Sequence, residues 1–180
     1  MDPALFLDRD GVIIENRPDY VRSWSDVTIY PQAMAALVRI SSSPFKIVIV
    51  TNQSAVGRGL IPLSVAEDIN ARLVSEIHHA GGRVNGVFMC PHAPGEDCPC
   101  RKPRPGLLLQ AAQALSLDMG RSILIGDALS DLQAGLAAGV NKVVLVRTGR
   151  SASETSLPES SAIGPFLVYD TLADALANLI

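Results

Sequence analysis

The sequence predicts an α/β fold in which a parallel sheet is covered by helices on both faces. Short apolar runs recur along the chain, and longer stretches with Ala and Leu at helical spacing separate them. Pro31 and Pro62 also stand where helices are allowed to begin. Strand and helix alternating in this way gives right-handed crossovers and gathers functional residues at the carboxyl ends of the strands.

Ala4 to Leu7 is the first expected strand, followed by a helix over Gln32 to Ser41 and a second strand over Lys46 to Val50. A helix over Leu63 to Ala80 comes next, with Ser64 and Glu67 spaced as a capping box. Gly86 to Met89 reads as a strand, Gly106 to Leu115 as a helix, and Ser122 to Ile125 as a strand. Leu129 to Ala138 is then helical and Lys142 to Val146 extended. Gly149 to Gly164, rich in Ser, Glu and Pro, reads as a surface loop before a last strand at Phe166 to Tyr169 and a helix at Leu172 to Ile180.

With 180 residues, 48% of them hydrophobic, the chain suits a single domain over residues 1–180. A net charge of -3 and a pI near 5.5 leave no broad basic field, which argues against nucleic acid as a partner. No apolar run approaches the ~20 residues that span a bilayer. The beginning lacks the features of a secretory signal, so the expectation is a cytoplasmic protein with no membrane partner. No repeat or heptad implies an oligomer, and a monomer is expected.

Asp8 and Asp10 lie two residues apart in Phe6-Leu7-Asp8-Arg9-Asp10-Gly11, where an apolar strand stops. Two such carboxylates repel unless a cation is shared or a proton is held, which suggests metal binding or acid-base work. A solvated Asp-Gly turn is the plainer alternative. A second pair follows Ile123-Leu124-Ile125-Gly126: Asp127 ends the strand and Asp131 is one turn into the next helix, so both could face one hard cation such as magnesium. The plainer reading of Asp127 is a helix cap, a role that could coexist with ligation. Thr51-Asn52-Gln53-Ser54 ends the second strand and Arg101-Lys102-Pro103 precedes a helix. A hydroxyl, amides and cations converging on one anion suit phosphoryl transfer, although each piece alone could be a turn or a surface patch.

All three cysteines, Cys90, Cys98 and Cys100, fall in one short segment with His92. Three thiolates and an imidazole make a closed tetrahedral zinc set, structural rather than catalytic, and clamping the segment would bring Arg101 and Lys102 to the phosphate pocket. Three buried apolar cysteines beside a chance histidine is the alternative. His78 and His79 sit on an expected helix away from these motifs and read as surface or packing residues.

Taken in order, Asp8-Arg9-Asp10-Gly11, Thr51-Asn52-Gln53, Lys102 and Gly126-Asp127 through Asp131 resemble the four motifs of the haloacid dehalogenase superfamily. The loop Cys90-Pro91-His92 to Cys98-Pro99-Cys100 resembles its zinc-loop branch, whose members act on heptose bisphosphates or histidinol phosphate. The resemblance implies a three-layer α/β/α Rossmann-like fold without a separate cap domain, with the zinc loop at 90–100. It also implies that Asp8 is the nucleophile, that Asp10 is general acid and base, and that Thr51 and Lys102 stabilise the transferring group. Magnesium would be held by Asp8, the Asp10 carbonyl and Asp127, with Asp131 behind them. Arg9 would point away, Arg101 would meet the far end of the substrate, and Asn16, Arg17, Asp19, Tyr20, Asn52, Gln53 and Ser54 would frame a phosphorylated sugar.

Thr51 to Gly59, TNQSAVGRG, and Val144 to Gly149, VLVRTG, resemble the members that act on heptose. The implied reaction is removal of the C7 phosphate from a heptose 1,7-bisphosphate, toward activated heptose for surface polysaccharide. Histidinol phosphate is the alternative substrate, and a silent phosphosugar-binding protein or a phosphomutase are the readings from other classes. Ala128 stands where many heptose-specific members carry a lysine, leaving Arg101, helped by Arg17 or Arg58, to compensate.

Overall fold

The computed structural model describes residues 1–153 and 163–180. Among these, six strands form one parallel sheet: β1 (Asp2–Leu7), β2 (Lys46–Asn52), β3 (Gly86–Cys90), β4 (Leu117–Gly126), β5 (Lys142–Val146) and β6 (Leu167–Tyr169). Their spatial order is β3-β2-β1-β4-β5-β6. The helices are α1 (Pro31–Arg39), α2 (Ser54–Gly57), α3 (Leu63–His79), α4 (Gly106–Leu115), α5 (Leu129–Ala137) and α6 (Leu172–Leu179).

Alternation along β1 divides the core into two layers. Leu5 and Leu7 pack with Leu37 of α1, Leu73 of α3 and Leu176 of α6, while Ala4 and Phe6 face Leu107 and Leu108 of α4 and Leu132 of α5. Each fully buried Leu or Phe contributes about 1.5–3 kcal/mol, which explains why a strand covered on both sides carries no polar residue between Pro3 and Asp8. The chain winds outward from β1 through β2 to β3, then returns to β4 on the other side of β1. Strand order therefore reverses beside β1, and the crevice at the strand ends opens there.

Three expectations are corrected. β4 begins at Leu117, five residues before Ser122, because main-chain pairing of Leu117 with Asp2 and Asp118 with Pro3 extends it without an apolar run. Ser122 bridges the register irregularity there: its Oγ accepts from the Ala4 N–H at 2.9 Å and donates to the Asp118 carbonyl at 2.6 Å. The Ser64 and Glu67 box does not form, since α3 takes Pro62 as its N-cap and Ser64 is already inside the helix. Asp127 is not a helix cap. Ala128 holds that position, and its N–H is satisfied by Asp131 Oδ2 at 3.1 Å. The single turn α2 was not expected from the sequence. Of the expected loop from Gly149 to Gly164, Arg150–Ser153 form a 3-10 turn, and residues 154–162 lie outside the described residues.

Candidate active site

Asp8 follows β1 directly and its N–H donates to the Ile125 carbonyl of β4 at 3.0 Å, so the nucleophile candidate is fixed by the sheet itself. Asp127 follows β4, the strand beside it, and Asp131 rises from the first turn of α5. One carboxylate oxygen of each lies within 4.8 Å of the others. Lys102 enters from the loop after β3 and is 4% exposed. Its ammonium donates to Asp8 Oδ1 at 2.8 Å, Asp131 Oδ1 at 2.7 Å and the Val50 carbonyl at 2.8 Å, which accounts for all three of its protons. Reciprocal bonds of 3.1 Å between the Asn52 side chain and the Lys102 main chain hold that loop against the end of β2.

Three carboxylates around one ammonium leave an excess of negative charge. Burial pushes Asp8 up to about 8, against the opposing pull of Lys102 and with added repulsion from Asp131, Asp127 and Asp10. Asp127 rises to about 6, first from burial and then from Asp131, although the Arg150 N–H donates to its Oδ2 at 2.7 Å. Burial alone would lower Lys102, but Asp131 and Asp8 together outweigh it and hold the ammonium charged. The donor set is all oxygen and its charge excess is the kind a hard divalent cation relieves.

The loop after β1 closes tightly over this cluster. Gly11 has φ +86°, and a Cβ there would run into the Asp127 carboxylate, so glycine is required both for the turn and for the approach. Thr148 ties the turn after β5 to it, its hydroxyl donating to the Gly11 carbonyl at 2.6 Å.

An open cavity of about 410 Å³ lies over these groups, within the range of small-molecule sites. Asp8, Asp10, Lys102, Asp127 and Asp131 line it, as do Asn16, Arg17, Tyr20, Asn52, Gln53, Ser54 and Arg101. Asp19 does not line it. That side chain is exposed, and its carbonyl accepts from Arg22 instead. Thr51 is fully buried beneath the lining, its Oγ1 accepting from Gln53 Nε2 at 2.8 Å. Arg58 stacks over Tyr20 at 5.9 Å and is also absent from the lining. Arg150, which sequence reasoning passed over, lines the cavity beside Ala128. The VLVRTG run ending one residue earlier was the available signal.

Arg9 turns away from the cavity as expected, yet it is fully buried and bonded to Asp10, Gln53 and Asn70. His78 and His79 end α3 on an exposed face, His78 accepting from the Val84 N–H and His79 bonded to Ser75.

Cys90, His92, Cys98 and Cys100 form a second cluster, with none of the sulfurs in a disulfide. Cys90 Sγ lies 3.5 Å from His92 Nδ1 and 3.8 Å from Cys98 Sγ, and Cys100 Sγ lies 3.4 Å from His92 Nδ1. A tetrahedral ion with ordinary Zn–N and Zn–S bonds spans edges of roughly 3.5–3.8 Å, so these spacings suit one metal. Burial, and secondarily Cys100, pushes the Cys90 thiol up to about 12. The cluster is coupled to the cavity through Arg101, whose Nη1 donates to the His92 carbonyl at 3.2 Å and to Ser54 Oγ at 2.8 Å.

Residues 99–175 match the HAD-hydrolase-like family. The chain is 35% identical over 178 residues to the D-glycero-beta-D-manno-heptose-1,7-bisphosphate 7-phosphatase of Pseudomonas putida, covering 98% of each chain. The enzyme of the same name from Pseudomonas aeruginosa is also 35% identical, over 98% of this chain and 97% of the other. A solved D,D-heptose 1,7-bisphosphate phosphatase from B. bronchiseptica, complexed with magnesium and phosphate, superposes with a TM-score of 0.87 at 32% identity, covering 98% of this chain and 97% of that one. Full-length similarity at this level, on a sheet that brings the four motifs to one crevice, places the chain among the haloacid dehalogenase-like hydrolases, in the family of the heptose-1,7-bisphosphate 7-phosphatases.

Proposed function

We propose that this protein is a magnesium-dependent phosphatase that removes the C7 phosphate of D-glycero-D-manno-heptose 1,7-bisphosphate. The observation that carries the reading is the meeting of Asp8, Asp127 and Asp131 with the Lys102 ammonium under an open cavity that Arg17, Arg101 and Arg150 also line. Asp8 attacks phosphorus and forms an aspartyl-phosphate. Asp10 protonates the departing alkoxide and then takes a proton from water, which releases phosphate and restores Asp8. Lys102 holds Asp8 in place and supplies positive charge as the phosphoryl group transfers; the buried Thr51 hydroxyl retains its proton for donation. Asp8, the Asp10 carbonyl and Asp127 would hold magnesium, which when bound would offset charge on the phosphoryl oxygens. Asp131, engaged by Lys102 and the Ala128 N–H, supports these groups from behind.

Arg101 and Arg17 are the cations proposed for the far phosphate, with Asn16, Tyr20, Asn52 and Ser54 around the sugar; all of them line the cavity. Asp19, read in the sequence as part of that frame, is left out of the proposal because it does not reach the cavity. The chain is proposed to act as one capless domain over residues 1–180, a monomer in the cytoplasm. Among the described residues no helix is long and apolar enough to cross a membrane. Zinc is the proposed occupant of the cysteine cluster, with a structural role.

Phosphate release from heptose 1,7-bisphosphate and from histidinol phosphate, each with magnesium, tests the substrate. The heptose is expected to be preferred, and the reverse order would replace the substrate while leaving the chemistry intact. No phosphate release from either would favour a silent binding protein.

Proton competition gives a further expected result. Raised Asp8 and Asp127 values mean that protons occupy magnesium ligands until the pH passes about 6 and then about 8. Magnesium affinity should therefore strengthen from pH 6 to pH 8, as read by calorimetric titration of metal-free protein. For zinc, Cys98→Ser is expected to abolish the bound metal measured by elemental analysis. Because Arg101 is held through His92, kcat/KM should also fall by about 10- to 100-fold, mostly through KM.

A further inference from the structure

We propose that Arg9 is a positioning residue for Asp10, anchored at its far end by Asn70 of α3. The inference rests on the acid-base role given to Asp10 above. Arg9 sits between the two catalytic aspartates in sequence yet is 0% exposed, the largest of the fully buried side chains. A guanidinium is costly to desolvate and persists inside a protein only where its protons find acceptors.

Those acceptors are specific. Nε donates to Asp10 Oδ2 at 3.0 Å and Nη2 to Asp10 Oδ1 at 3.1 Å, a two-pronged grip on both oxygens of one carboxylate. Nη2 also donates to Gln53 Oε1 at 2.8 Å, and Nη1 to Asn70 Oδ1 at 2.8 Å. Gln53 completes the circuit, its amide donating to Asp10 Oδ2 at 2.9 Å and to Thr51 Oγ1 at 2.8 Å.

A bidentate fork fixes the plane of the carboxylate as well as its position, something a single ammonium cannot do. Oδ2 receives two donors and Oδ1 one, so Oδ1 is the oxygen with more capacity left for the leaving group or the attacking water. The plane of the acid-base group, which lines an open cavity, is set by Arg9 just after β1, by Gln53 just after β2 and, through Arg9, by Asn70 of α3. The same fork reaches Thr51 through Gln53, so the acid-base group and the phosphate-stabilising hydroxyl share one frame.

The test compares wild type with Asp10→Asn, Arg9→Met, Arg9→Lys and Asn70→Ala, using heptose 1,7-bisphosphate and p-nitrophenyl phosphate. Nitrophenolate leaves without needing a proton, so forming the aspartyl-phosphate from it does not depend on Asp10, whereas hydrolysing that intermediate does. Arg9→Met is expected to lower kcat on the sugar by about 100-fold with little change in KM. On the aryl ester its first-turnover burst should keep the wild-type rate, followed by a slowed steady state. Arg9→Lys should not restore the sugar activity, and Asn70→Ala should show the same pattern at about tenfold.

Equal slowing of the burst and of sugar turnover in folded Arg9→Met would mean a purely structural role and overturn the proposal. So would full activity. If Arg9→Met does not fold, Asn70→Ala decides, and wild-type kinetics there would also overturn it. Asp10→Asn separates the two layers of argument. If it lacks the burst pattern, the acid-base reading of Asp10 fails; if it has the pattern and Arg9→Met does not, only the positioning role fails.

Discussion

Asp8→Asn is expected to abolish phosphate release, by about 10⁴-fold or more, without weakening the metal-free protein. The catalytic half of that expectation follows from removing the proposed nucleophile. The stability half follows from charge. Burial raises Asp8 to about 8, so folding favours its protonated form. A carboxyl raised in this way stabilises the fold below its unfolded value near 4, and that contribution is lost as pH climbs toward 8. An asparagine carries no such term, so the melting temperature of the variant should equal or exceed wild type at pH 7 to 8, with the gap closing toward pH 5. Lys102 keeps Asp131 and the Val50 carbonyl as partners, so no ammonium is stranded. A dead and unstable Asp8→Asn protein would show that the carboxylate is needed for folding, against the electrostatic account.

Lys102→Met should lose both activity and stability. The side chain is buried between Asp8 and Asp131, and its removal leaves two carboxylates, with Asp127 beside them, facing one another without a counter-charge. Removing one partner from a buried ionic cluster costs about 3–5 kcal/mol. For a chain of this length that lowers the melting temperature by roughly 6–20 °C. Magnesium should recover part of the lost stability, since it supplies the missing charge to the same oxygens, but not the turnover. Thermal melts of both variants, with and without magnesium, place them at opposite ends of one scale.

How much of this was readable in the sequence depends on whether the signal was local. α4 and β5 fall on the residues their patterns predict, because an Ala/Leu helix and an apolar run each carry their own period. The early half of β4 was missed because main-chain pairing with Asp2 and Pro3, rather than apolar burial, makes it a strand. Asp8, Asp127, Asp131 and Lys102 were legible because three of them end strands or begin a helix and the fourth follows the cysteine loop. Gln53 was read as a sugar contact, and it does line the cavity, but its amide is turned to Asp10, Arg9 and Thr51. Side-chain direction after the end of a strand has no period, and Asn70 is just one more polar residue on α3 until the fold brings it to Arg9.

The position of β1 at the middle of the sheet also bears on how the chain is made. Its two neighbours are β2, complete at residue 52, and β4, which does not begin until residue 117. During synthesis the apolar strand Ala4 to Leu7 therefore gains one partner early and waits more than sixty further residues for the other. Through that interval the growing chain carries an unpaired strand edge and an uncovered apolar face, the features that recruit chaperones or wrong partners. Asp8 and Asp127 meet only after β4 is complete, so no truncated chain that stops short of the helix after β4 can hold the carboxylate cluster.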